Sequence, residues 1–125
     1  MSIPSIETFD PYPLTDDQIA FYRENGFVLL PDVLSPEEIE DLRASLDALV
    51  ADNRHEGLAD AEYRKIFLQM VNLWCVNEGV RRFTLSRRIG EIARRLAGVP
   101  RLRLWHDHAL VKMPGDSRVT PWHQD

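Results

Sequence analysis

Apolar and polar positions fall into three regimes along the chain, and each predicts a different kind of element. Residues 15–98 are dominated by helical spacing, residues 101–113 alternate with a period of two, and residues 1–14, with Pro4, Pro11 and Pro13, form an irregular lead-in. The first helix starts at Thr15-Asp16-Asp17-Gln18, where the Thr15 hydroxyl can accept from the amide of Gln18 while the Gln18 side chain reaches back. Leu14, Ile19 and Tyr22 supply its apolar side, and Asn25-Gly26 offers the left-handed residue that ends it. Phe27-Val28-Leu29-Leu30-Pro31 then reads as a short buried strand closed by proline.

A second helix begins at Ser35-Pro36-Glu37-Glu38, with proline at the first helical position and acids where the helix dipole favours them. Ile39, Leu42, Leu46, Leu49 and Val50 keep to one side, and the helix frays into the polar stretch 52–57, where His55 is a solvated residue. Residues 63–76 read either as a short strand or as buried irregular chain, with Gln69 and Asn72 as polar side chains that need partners. A helix around residues 79–84 and another around 86–96, with Ile89, Ile92, Ala93 and Leu96 inward, lead to Gly98 and Pro100.

The period then changes. Leu102, Leu104, His106, His108, Leu110 and Lys112 share one face, and Arg103, Trp105, Asp107, Ala109, Val111 and Met113 the other, which predicts one long strand over 101–113. Pro114-Gly115-Asp116-Ser117 turns the chain into a final strand over 119–125. Two extended segments joined in this way are expected to be antiparallel neighbours that bring His108 or Lys112 near His123.

On that last strand His123 and Asp125 are two apart, so an imidazole nitrogen and a carboxylate oxygen point to one side and can grip one metal ion. Such a pair can supply two of the three ligands of a 2-His-1-carboxylate site, which keeps positions open for oxygen and a co-substrate, although a histidine on a strand is more often a hydrogen-bonded structural residue. His106 and His108 make a competing pair on one face, without a carboxylate beside them on that face. Trp122 is expected to pack and Arg118 to be a rim charge or a substrate contact. There is no Gly-x-Ser-x-Gly elbow and no glycine-rich phosphate loop.

At 125 residues the chain is one domain at most, without the run of ~18 apolar residues that a membrane helix needs. Residues 1–12 lack the basic head and apolar run of a signal peptide, and one cysteine, Cys75, allows no intrachain disulfide; the cytoplasm is the expected compartment. The net charge of −5 hides an asymmetry: residues 1–60 hold 14 acids against 3 bases, and residues 61–125 hold 6 against 12. The halves are expected to face each other or different partners. The basic excess lies in Arg81, Arg82, Arg87, Arg88, Arg94, Arg95, Arg101 and Arg103, read first as a solvated helix face. An acidic overall balance and the lack of a nucleic-acid-binding motif argue against nucleic acid as the partner.

The order of these features resembles the phytanoyl-CoA dioxygenase family. The resemblance runs from about Leu14 to Asp125 and is carried by the opening helix ending in Asn25-Gly26-Phe27, the Ser35-Pro36-Glu37-Glu38 helix start, His108-Ala109-Leu110-Val111-Lys112-Met113-Pro114 and Trp122-His123-Gln124-Asp125. It implies an α+β protein with a jelly-roll, or double-stranded β-helix, and N-terminal helices packed on the sheet. It also implies Fe(II) as metal, 2-oxoglutarate as co-substrate, molecular oxygen, and a small organic substrate that is hydroxylated or otherwise oxidised. By the same resemblance His123 and Asp125 are the first two iron ligands, His108 lies against 2-oxoglutarate with Lys112 nearby, and Gln69 stands where some members carry a lysine that contacts the co-substrate.

The family's third ligand, a histidine, and the arginine for the far carboxylate of 2-oxoglutarate come well after the His-x-Asp strand. The chain is therefore expected to be the N-terminal portion of one such domain, with its jelly-roll incomplete and its sheet edges open to self-association. Two other readings stand beside this one. The first is a non-catalytic interaction module derived from the family; the second is an anion- or nucleic-acid-binding protein that uses the arginines between 81 and 103.

Overall fold

Both predicted helix starts form, and reciprocal side-chain-to-backbone bonds fix where the two long helices begin. In this computed structural model, which describes residues 10–52, 68–112, 114–115 and 118–123, α1 spans Asp16–Asn25 and α2 spans Pro36–Asp52. The Gln18 amide donates to the Thr15 hydroxyl at 3.2 Å while the Thr15 amide donates to Gln18 Oε1 at 2.9 Å. Ser35 and Glu38 repeat this exchange at 3.2 and 2.7 Å. Gly26, at φ 79°, closes α1 in the left-handed conformation.

Between these helices the sequence predicts a buried strand, and the structure overturns it. Residues 27–30 form no strand, and Phe27 and Leu29 are 65% and 86% exposed. A strand is a paired structure, and no described segment offers this run a ladder. It is tied down instead from its far end, where the Tyr12 hydroxyl donates to the Pro31 carbonyl at 2.9 Å and Arg88 Nη1 donates to the Val33 carbonyl at 2.8 Å.

The ambiguous middle of the chain resolves into both of its readings. Strand β1, Leu68–Val71, is followed by a single 3-10 turn, Leu73–Cys75, with Asn72 at φ 58° making the bend between them. Helix α3, Glu78–Thr84, starts on Asn77, whose side-chain oxygen accepts the Val80 amide at 3.0 Å. Helix α4, Arg87–Ala97, ends on left-handed Gly98. Ile92 is buried in it as predicted, whereas Ala93 is exposed.

The long strand expected over 101–113 is shortened to β2, His108–Val111, because β1 offers only four residues to pair with. The two strands are antiparallel with Leu68 opposite Val111, Gln69 opposite Leu110, Met70 opposite Ala109 and Val71 opposite His108. Among the described residues this two-stranded sheet is the whole of the β structure, and the expected final strand is not seen over 118–123.

The core sits between one face of this sheet and the helices. Leu49 of α2, Met70 of β1, Leu73 of the 3-10 turn and Val80 of α3 form its buried centre, flanked by Leu42, Leu46, Val50, Leu68, Ala109 and Val111. The alternation of the strands therefore sends Leu68, Met70, Ala109 and Val111 inward, and Gln69, Val71, His108 and Leu110 to the opposite face.

The acidic and basic halves do face each other. Arg88 of α4 meets Glu38 of α2 at 2.9 Å, and Arg82 of α3 approaches Asp41 of α2 at 4.0 Å. Arg81 lies over the Trp74 ring at 5.3 Å, and Arg94 pairs with Glu91 through two nitrogens at 2.7 and 2.8 Å. Half of the eight arginines of this stretch thus hold the helices or their own helix surface together.

Candidate active-site face

The face of the sheet turned away from the helices brings together three of the residues that sequence reasoning singled out. The Gln69 side-chain amide nitrogen stands 3.3 Å from His108 Nε2, diagonally across the ladder. This is a donor facing a ring nitrogen, which accepts when the imidazole proton sits on Nδ1. The His106 ring stacks on that of His108 with centroids 4.3 Å apart and planes tilted by 36°. Gln69, a polar side chain that needed a partner, therefore finds one across the ladder.

Asn72 does not join this group. Its left-handed backbone turns the chain out of β1, and its amide donates to the Asp107 carbonyl at 3.2 Å. Lys112, one residue past β2, donates from Nζ to the Arg118 carbonyl at 3.2 Å and so closes the loop that follows β2.

His123 lies in the extended terminal segment, exposed, with its ring Nδ1 2.9 Å from the Pro121 carbonyl. A carbonyl can only accept, so this contact puts a proton on Nδ1, and in the neutral ring the lone pair then belongs to Nε2. That is the tautomer of a metal-binding imidazole held by a backbone carbonyl behind it. Asp125 and His55 lie outside the described residues, and among the described residues no three His, Cys, Asp or Glu side chains converge as a metal site. Trp122, expected to pack, is fully exposed at 104%, because no described element lies beside this segment to cover it.

Asp107 is the residue whose role the sequence left unread. Its carboxylate accepts the Leu73 amide at 2.7 Å through Oδ1 and the Trp74 amide at 2.8 Å through Oδ2, and Thr84 Oγ1 donates to Oδ2 at 3.3 Å. It caps the 3-10 turn from 34 residues away, where the Asn72 side chain makes no capping bond. The signal was its position, a carboxylate alternating onto the same side as the apolar Trp105, Ala109 and Val111, since a charge on the core side must find donors. It also explains why His106 and His108 have no carboxylate beside them.

The family model described as phytanoyl-CoA dioxygenase (PhyH) matches residues 22–125. The chain belongs to the phytanoyl-CoA dioxygenase family. Among solved structures, this family member is similar to SnoK, a non-haem alpha-ketoglutarate-dependent carbocyclase from nogalamycin biosynthesis, at 30% sequence identity and a TM-score of 0.72. That similarity covers 87% of this chain and 43% of SnoK, so the chain spans less than half the length of the enzyme it matches. No match is found among curated proteins.

Proposed function

We propose that this chain is the N-terminal portion of an Fe(II)- and 2-oxoglutarate-dependent dioxygenase that oxidises a small organic molecule. Its family and its similarity to a non-haem alpha-ketoglutarate-dependent enzyme support that chemistry, and β1 and β2 would be early strands of a jelly-roll. The observation that carries the reading to particular residues is the uncovered sheet face. There Gln69 and His108, the residues expected to line the 2-oxoglutarate site, are in contact with each other.

His123 and Asp125 offer the nitrogen and oxygen donors of two iron ligands, and the His123 tautomer set by Pro121 fits that role. When bound, iron with 2-oxoglutarate supplies the oxygen chemistry, while the chain binds and orients the reactants. The Gln69 amide and the His108 ring can donate to a carboxylate of the co-substrate, and Lys112 adds a positive charge at the same edge of the sheet. The third ligand and the arginine for the far carboxylate would lie outside residues 1–125.

The test is consumption of 2-oxoglutarate by a protein that extends beyond residue 125. His123→Ala and Asp125→Ala are each expected to abolish it, and full activity in both overturns the assignment. The 125-residue chain alone is expected to bind Fe(II) weakly and to turn over nothing. Robust turnover by it would place the third ligand within these residues.

A further inference from the structure

We propose that Asp107 is the positioning residue of the open sheet face: its contacts with the 3-10 turn hold β2 in register and thereby present His108, with the His106 ring stacked on it, to Gln69. The inference rests on reading that face as the co-substrate side of the site. Asp107 lies between the two histidines in sequence, and successive residues of an extended chain point to opposite sides. Its side chain therefore anchors on the helix side while theirs emerge on the other.

The anchor involves two elements and the bend that follows β1. The carboxylate takes the Leu73 and Trp74 amides of the 3-10 turn at 2.7 and 2.8 Å and the Thr84 hydroxyl of α3 at 3.3 Å. Its own carbonyl takes the Asn72 amide at 3.2 Å, one step beyond the last ladder pair, Val71 with His108. The ladder has four residue pairs, and a slip by one residue would send His108 to the core and Ala109 to the open face. A carboxylate is suited to this place because it accepts at both oxygens; an amide would turn its NH2 toward one of the two backbone donors.

The test compares the full chain with Asp107→Asn and Thr84→Val by nuclear magnetic resonance, without iron or 2-oxoglutarate. The readouts are hydrogen exchange at the Leu73 and Trp74 amides and the cross-peaks that Gln69 and His106 make with the His108 ring. For Asp107→Asn the expected result is about a ten-fold or greater loss of amide protection together with loss of the Gln69–His108 cross-peak. A merely stabilising role would loosen the amides and leave the His108 cross-peaks in place, which overturns the proposal.

Thr84→Val keeps both amide contacts, so it remains folded if Asp107→Asn does not. It is expected to show a smaller loss of protection and a weakened Gln69–His108 cross-peak, and unchanged cross-peaks with reduced protection overturn the proposal here too. Failure of the functional reading is separate: a longer protein that does not bind 2-oxoglutarate leaves these measurements as they are.

Discussion

Gln69 and His108 meet diagonally across a ladder of four residue pairs, on the side of the sheet that the helices leave open. Neither side chain belongs to the buried centre formed by Leu49, Met70, Leu73 and Val80, so their contact is separable from folding. Gln69→Ala is expected to change the stability of the chain by no more than about 0.5 kcal/mol. In a longer protein it should weaken 2-oxoglutarate binding by about 1 kcal/mol, the worth of one hydrogen bond. Parallel thermal melts and co-substrate titrations separate the two effects, and unchanged affinity would remove Gln69 from the site.

The opposite face behaves in the opposite way. Leu73 is 1% exposed at the junction of the 3-10 turn, α2 and α3, whereas Leu110, on the open face, is 55% exposed. Leu73→Ala is expected to cost about 2–5 kcal/mol, through lost burial and the cavity left behind. Leu110→Ala should cost about 1 kcal/mol or less. Denaturant titration of both variants decides it, and equal losses would mean that the open face is covered in solution.

What could be read from the sequence was set by how far each signal reaches. Thr15 with Gln18 and Ser35 with Glu38 are three residues apart, so both helix starts were legible and both form. The run 27–31 has the composition of a strand, but pairing depends on a neighbour that composition does not reveal, and Leu29 stands exposed. The alternation over 101–113 gave the two faces correctly at 108–111 and overstated the strand, since its length is set by β1. Gln69 and His108 were picked out separately by family resemblance, and only the register joins them. Asp107 was placed on the correct face, but its partners at Leu73 and Trp74 are more than thirty positions away and carry no local mark.

Acid should weaken the contact between the two halves of the chain. The Glu38 carboxyl is held below the ordinary carboxylate range by the Ser35 amide above all, which outweighs the opposing effect of burial, with Arg88 adding to the lowering. A carboxyl depressed in the folded state contributes stability that is present above its unfolded value and is lost as pH falls through the folded one. Glu91, held down by Arg94, and Glu37, held down by a backbone amide and Ser35, act in the same direction. The melting temperature is therefore expected to drop as pH falls through and below the usual glutamate range. Glu38→Gln should lower it at neutral pH and flatten that drop. An equally steep pH dependence in the variant would show that Glu38 is not titrating against a folded-state partner.

Gly79 of α3 lies close against Ser45 of α2. A Cβ built there would collide with the Ser45 hydroxyl and come within 2.9 Å of Ser45 Cβ. The hydroxyl could rotate away, but the Cβ is fixed to the α2 backbone, so the helices themselves would have to separate. That movement would act on Leu49 and Val80, which pack together in the core from these same two helices. Gly79→Ala is thus expected to destabilise the chain by about 1–3 kcal/mol, although alanine favours a helix more than glycine does. Ser45→Gly carries its own helix-propensity cost but empties the space, so the double variant should lie well above the sum of the two single losses. A double-mutant cycle by denaturant unfolding measures this coupling; strictly additive losses would mean that the two positions do not touch.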